Sequence, residues 1–270
     1  RLRWLQLFPI PSARTLTPAE GRGADPRLVS LNARLRNGGA GRRLDDNFIV
    51  KWMPHSFVAE QYRVGATRMA LLESAGPATV IAVTSAVKGE GKTTTVINLG
   101  YTLARDLGKR TLLIDCDFTV PTLHRYVETL PEWGIADCLI NDVSWEECLA
   151  GFGDVPCWIM PVGNSHTHSN ELLKTERLQH LLGQLRERFD YILINTPPIL
   201  PLATMTVLAG HVDHLVLVVR ANSTPHQVVK RAMKSLRSRT PIQVILNRVG
   251  SGALPSYMYD YGYTGAKAAP

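Results

Sequence analysis

One stretch constrains this chain more than any other: Thr84-Ser-Ala-Val-Lys-Gly-Glu-Gly-Lys-Thr-Thr94. An apolar run, Thr79-Val-Ile-Ala-Val83, precedes it, and an amphipathic run, Val96–Leu107, follows it. Strand, glycine loop and helix in that order are the context in which Ala86-x4-Gly91-Lys92-Thr93 reads as a phosphate-binding loop. Glycines let backbone N–H groups turn inward around an anion, and the new helix adds its positive N-terminal end. Ala86, Lys88, Gly89, Glu90, Gly91, Lys92, Thr93 and Thr94 are therefore the candidate cradle for a nucleotide. Lys92 would bridge β- and γ-phosphate oxygens, and the Thr93 hydroxyl would hold Mg²⁺. Ala86 stands at the first loop position, where another small residue does the work of glycine. A loop of this kind predicts a nucleotide but not what becomes of its phosphate.

The rest of the chain supplies a fold around that loop. Strand candidates at Thr79–Val83, Thr111–Ile114, Cys157–Pro161, Tyr191–Ile194, His214–Val219 and Ile242–Leu246 are apolar throughout. Helical patterns alternate with them at Thr93–Leu107, Trp145–Leu149, Thr175–Arg188, Ala203–Ala209 and Pro225–Ser238, and Val50–Leu72 looks helical in its second half. Short apolar strands separated by helices predict an α/β fold of the P-loop NTPase type, a mostly parallel sheet with helices on both faces. The ligand of such a sheet lies at the carboxyl ends of the strands, where the loop already sits.

Composition sets the outer limits. With 270 residues, 45% of them hydrophobic, the chain can bury one large α/β core. No apolar run approaches the ~18 residues a bilayer span needs, and Arg1–Ile10 has neither the long apolar stretch nor the cleavage site of a signal peptide. The net charge of +7 is uneven: residues 1–50 carry nine Arg against four acids, and the remaining 220 residues sum to +2. The expected organisation is a basic, mostly disordered segment over 1–50, a nucleotide-binding domain over 51–250 and a flexible tail over 251–270. The excess charge belongs to the N-terminal segment, as a solvated arm or as one that docks on a membrane surface or partner. The four cysteines, at 116, 138, 148 and 157, show no metal or CxxC spacing and are expected as reduced thiols. His166 and His168 lack a third ligand and read as solvated, and Trp133, Trp145 and Trp158 read as packing residues.

Two strand ends carry further chemistry. Leu112-Leu-Ile-Asp115-Cys-Asp117 closes a buried strand with two carboxylates, one residue apart. A hard cation needs such oxygen ligands beside a phosphate, and a carboxylate there can accept a proton from an attacking hydroxyl. Phe189-Asp-Tyr-Ile-Leu-Ile-Asn195-Thr-Pro-Pro198 ends in an amide where a second magnesium-shell carboxylate is usual. Asn195 can hold a metal-bound water through its oxygen but brings no charge and is no base.

These three segments, in this order, resemble the bacterial tyrosine kinases that regulate exopolysaccharide and capsule export, and within them the polysaccharide-biosynthesis autokinases. The family's GEGK[ST] loop, DxD strand end and hhhDTPP strand correspond to Gly89–Thr93, Asp115–Asp117 and Leu193–Pro198. Glu60-Gln-Tyr-Arg63 resembles the start of the family's subunit-contact helix, although Ala66 stands where a second Arg is expected. Asn170–Leu173 matches a loop-to-helix segment, and Leu246–Val249 matches the last strand, whose Asn247 the resemblance places near the adenine. Thr119 replaces an Arg after the DxD segment, and Asn195 replaces the acid of hhhDTPP.

Four of the eight tyrosines, Tyr257, Tyr259, Tyr261 and Tyr263, alternate within seven residues of the tail, like the family's autophosphorylation cluster. The resemblance thus implies a tyrosine autokinase using ATP and Mg²⁺, with Lys92, Asp115 and Asp117 catalytic and Thr93, Asp115 and Asn195 in the magnesium shell. It implies a homo-oligomer phosphorylating in trans, an inner-membrane polysaccharide chain-length (co-polymerase) adaptor, an opposing tyrosine phosphatase and no nucleic-acid partner. The chain would be cytoplasmic and peripherally attached to the inner membrane. Two other readings share the loop. One is a partition- or septum-site ATPase, against which Val87 stands where those relatives carry a loop lysine, with Lys88 at their glycine. The other is a nucleotide-binding regulator that has lost catalysis, for which Asn195 is the sign.

Overall fold

The computed structural model describes residues 3–4, 47–72, 76–163, 176–200, 204–236 and 238–249. The strands are β1 (Arg3–Trp4), β2 (Thr79–Ser85), β3 (Thr111–Asp115), β4 (Ala150–Gly151), β5 (Cys157–Met160), β6 (Tyr191–Asn195), β7 (His214–Arg220) and β8 (Ile242–Asn247). They form one sheet in the order β1-β8-β7-β2-β6-β3-β5-β4. Every pairing is parallel except β4 with β5. The helices are α1 (Ile49–Trp52), α2 (Phe57–Met69), α3 (Lys92–Leu107), α4 (Ile135–Asn141), α5 (Glu176–Arg186), α6 (Thr204–Leu208) and α7 (His226–Leu236). The fold is that of a P-loop NTPase.

Alternation along the strands builds three layers. Val80, Ala82, Leu112, Ile114, Ile192, Ile194, Leu215 and Leu217 share one buried cluster with α4, α5, α6 and α7. Their neighbours Ile81, Val83, Leu113, Leu193, Val216 and Val218 share another with α1, α2 and α3. Side chains of a strand point alternately to its two faces, so both faces must be apolar when both are covered. That is why these strands read as continuous apolar runs. Helix α3 lies close on β3 at Gly100, where a Cβ would come within 2.3 Å of the Leu113 side chain.

The six strand candidates are all present, most of them extended by a residue or two at the carboxyl end. The Trp145 segment is a 3₁₀ helix, Trp145–Cys148, rather than an α-helix. Helix α4 is not among the expected helices, its N-cap being Gly134, which offers no capping side chain; the Asp137 carboxylate accepts from the Gly134 N–H at 2.9 Å and closes its first turn. Residues 47–50, ahead of the expected domain start at 51, pack on the domain. Phe48 is fully buried, stacked on Phe152 and edge-on to Tyr101, each at 4.7 Å between ring centroids. Asn98 on α3 fastens this entry, accepting from Val50 N–H at 3.0 Å and donating to Asn47 C=O at 2.9 Å. None of the helices among the described residues is long and apolar enough to cross a membrane.

Candidate functional site

The site lies where β2, β3, β6, β7 and β8 end. Gly89 and Gly91 take φ of +85° and +98°, a conformation open to glycine at little cost. A Cβ at Gly89 would meet nothing within 4 Å, whereas one at Gly91 would fall 2.0 Å from the Asn247 amide. Asn247 itself donates to the Glu90 carbonyl at 2.8 Å, so the last residue of β8 braces the loop's turn into α3. That contact is Asn247's observed part in the site.

Glu90 is the second brace. Its carboxylate is buried and accepts from Val87 N–H at 2.8 Å, Arg220 N–H at 3.2 Å and the Thr224 hydroxyl at 2.6 Å. The side chain expected to face a nucleotide is thus committed to the loop's own scaffold, and ties it to the turn after β7. Ser85 adds a hydroxyl donated to Val87 C=O at 2.6 Å. Nothing local in sequence marks Arg220 and Thr224 as partners of the loop.

Lys92 follows at the first turn of α3, only 7% exposed. None of the ion pairs among the described residues includes it. Burial pulls its pKa down, and the carboxylates of Asp117 and Glu90 offset this in part. A buried ammonium in none of the ion pairs among the described residues, beside Gly89, which leaves open space, fits a phosphate-bearing ligand.

Asp115, the last residue of β3, is fully buried and saturated. Oδ2 accepts from Thr122 N–H at 2.8 Å and Leu123 N–H at 2.9 Å; Oδ1 accepts from Asn195 Nδ2 at 2.9 Å and Asp117 N–H at 3.2 Å. Burial still raises its pKa above the ordinary carboxylate value, against these four donors. Thr93 Oγ1 lies 2.8 Å from Thr122 Oγ1 and donates to Asn195 Oδ1 at 3.4 Å. Asp115, Asn195, Thr93 and Thr122 therefore form one linked network, in which Asp115 anchors Asn195 and the 122–123 turn. Thr122 was not expected in it. Asp117 is 8% exposed, accepts from Val120 N–H at 3.1 Å and has a pKa raised by burial.

No group of three or more His, Cys, Asp or Glu side chains converges for a metal among the described residues. The Thr93 hydroxyl, the Asn195 amide oxygen and the nearby carboxylates are hard oxygen donors. They fit Mg²⁺ that completes its shell with phosphate oxygens and water. Lys88 and Thr94 flank the cradle without a side-chain bond that the geometry assigns to a ligand, and Ala86 is wholly buried beneath it. Tyr257, Tyr259, Tyr261, Tyr263 and the Asn170–Leu173 segment lie outside the described residues. On α2, Arg63 pairs with Glu60 at 2.7 Å and with Asp106 of α3 at 3.1 Å, so both residues of the Glu60–Arg63 segment are engaged within the chain.

Comparison with known proteins places this geometry. The family described as "AAA domain" matches residues 78–239. The tyrosine-protein kinase YwqD of Bacillus subtilis (strain 168) is 29% identical over 227 residues, 84% of this chain and 94% of that protein. The succinoglycan biosynthesis transport protein ExoP of Rhizobium meliloti (strain 1021) is 31% identical over 214 residues, 77% of this chain but 27% of that much longer protein. The kinase domain of Escherichia coli tyrosine kinase ETK superposes with a TM-score of 0.72 over 83% of this chain and 88% of its own, at 20% identity, which speaks for the shared fold.

Proposed function

We propose that this chain, which belongs to the AAA domain family and there to the bacterial tyrosine kinases, is an autokinase that phosphorylates its own tail at Tyr257, Tyr259, Tyr261 and Tyr263. The observation that carries the reading is Lys92: a buried cation without an ion-pair partner among the described residues, at the mouth of a glycine loop, with Asp117 beside it.

Backbone N–H groups of the loop and the Lys92 ammonium would hold the phosphates of ATP; Thr93 and Asn195 would hold Mg²⁺, oriented by Asp115. Bound there, ATP and Mg²⁺ supply a transferable phosphoryl group and the charge that neutralises it. The chain's own part is positioning and electrostatics. Glu90 and Asn247 keep the loop open by bracing it from behind. Asp117 orients the incoming tyrosine hydroxyl and takes its proton as the oxygen attacks. Its raised pKa suits a proton acceptor better than an ordinary surface carboxylate would. A tail presented by a second copy brings the hydroxyls at high effective concentration.

The same reading places the chain at the inner membrane through a polysaccharide chain-length adaptor, with a tyrosine phosphatase opposing it, no nucleic-acid partner and a role in exopolysaccharide or capsule biosynthesis and export. Charge placement supports the peripheral membrane part. The near-neutral sum over the domain conceals a separation: residues 51–213 hold thirteen Lys/Arg against eighteen Asp/Glu, and residues 214–249 hold seven against none. Lys230, Arg231 and Lys234 of α7, with Arg239 and Arg248, are exposed. A cationic βαβ unit on an otherwise acidic domain suits an anionic surface. The excess positive charge is therefore not confined to residues 1–50.

Phosphotyrosine mass spectrometry after incubation with ATP and Mg²⁺ tests the reading. Phosphate on the tail tyrosines, lost in Lys92→Met, is the expected result; an unmodified tail despite bound ATP rejects it. That second outcome would favour a nucleotide-binding regulator, a reading to which the neutral Asn195 beside a saturated Asp115 lends its own support.

A further inference from the structure

All four cysteines are buried and reduced, and two of them meet. Cys138 Sγ on α4 and Cys148 Sγ at the end of the 3₁₀ helix Trp145–Cys148 are 3.1 Å apart. Their spacing of ten residues matches no pairing signature; only the packing of two short helices brings the sulfurs together. Cys138 also lines an open groove of about 900 Å³, with Trp145, His180, Leu181 and Arg188, so a small solute can approach it. Cys148 lies fully buried behind it. Access therefore makes Cys138 the sulfur that meets an oxidant first.

We propose that Cys138 and Cys148 are an oxidisable dithiol, a modification site that takes a low-molecular-weight disulfide. The Cys138 thiolate attacks one sulfur of the disulfide, forming a mixed disulfide and releasing one thiol. The Cys148 thiolate then attacks Cys138 Sγ, forming the internal bond and releasing the second thiol. Two protein thiols are oxidised by two electrons, one small disulfide is reduced, and the two protons leave on the two released thiols. A disulfide has an S–S length of about 2.05 Å, so the sulfurs have about 1 Å to close. The connecting segment passes through Asp142, exposed and in a left-handed conformation at φ 54°, its carboxylate paired with Arg177 of α5 at 3.2 Å. The bond would staple α4 to the 3₁₀ helix. Because α4 starts on the carboxyl end of β5, with Ile135 N–H donating to Pro161 C=O at 2.9 Å, it would stiffen one flank of the nucleotide site.

The test uses the folded full chain and oxidised glutathione, followed by quenching, denaturation, alkylation and peptide mapping. Two of the four thiols should resist alkylation, and a Cys138–Cys148 cross-linked peptide should appear. Cys148→Ser should instead retain one glutathione on Cys138, and Cys138→Ser should take up neither modification. Four alkylatable thiols in the wild type, under conditions that oxidise the denatured chain, would overturn the proposal. So would a stable wild-type glutathione adduct with no cross-link. The wild-type measurement requires no variant to fold, and none of these outcomes depends on kinase activity.

Discussion

Asn195 donates its side-chain amide to Asp115 at 2.9 Å, across the register in which the two residues end neighbouring strands. Both are fully buried. The pair explains how an amide is accommodated where related strands end in an acid: it donates a hydrogen bond to a carboxylate that is in none of the ion pairs among the described residues.

Asn195→Asp should therefore destabilise the chain in the absence of divalent cations. Two carboxylates in hydrogen-bond contact cannot both ionise at low cost, and the loss should be about 3 kcal/mol. In the variant the pair's folded-state pKa rises above its unfolded value. The deficit is then fully present near pH 8 and shrinks as pH falls through the raised pKa toward pH 4. Thermal melts across pH, with and without Mg²⁺, measure it; a deficit that does not depend on pH would contradict the pairing argument. If the missing charge limits catalysis, Mg²⁺-dependent turnover should rise in the same variant.

Lys92→Met should separate stability from function. It removes a buried ammonium whose charged form is penalised by burial, so Tm should hold or rise by about 2–4 °C. ATP binding, followed with a fluorescent analogue, should fall at least tenfold. A lower Tm would mean that Lys92 has a structural counter-charge.

Glu90→Ala should act oppositely. It strips the acceptor from Val87 N–H, Arg220 N–H and the Thr224 hydroxyl together. Orphaned buried donors should cost about 2–4 kcal/mol. Nucleotide affinity should fall as well, because the loop loses its tie to the turn after β7. Denaturant melts and the same fluorescent analogue check both parts.

The two loop glycines should differ. Gly89→Ala meets only backbone strain at φ +85°, about 1 kcal/mol, and should keep measurable ATP binding. Gly91→Ala adds a clash with Asn247, which must leave its bond to Glu90. Its affinity should drop well below that of Gly89→Ala; Gly91→Ala combined with Asn247→Ala should recover part of the difference.

Much of this was legible from local pattern. The loop at Thr84–Thr94, the strand ends at Asp115 and Asn195, and all six apolar strands announce themselves within windows of ten residues or so, because burial on both faces leaves an uninterrupted apolar run. Helix α4 escaped because its N-cap, Gly134, carries no capping side chain to mark the start. Thr122, Arg220 and Thr224 escaped because nothing in their own neighbourhoods refers to the site. Glu90 finds its acceptor roles 130 and 134 residues away, and its carbonyl meets Asn247 at a separation of 157.

What the sequence determined by itself was the chemistry on offer: a phosphate cradle at Lys92, oxygens at Asp115 and Asn195, and phenols in the tail. Residue type and short-range spacing suffice for that, since strand, loop and helix signals are local. Only the tertiary structure decided how those groups are spent. Folding turns the Glu90 carboxylate inward, saturates Asp115 with four N–H donors and leaves Lys92 without an ion pair among the described residues. It also brings Cys138 against Cys148. Those assignments depend on which strand ends and helix faces become neighbours in the sheet, a property of long-range packing that no stretch of sequence carries alone.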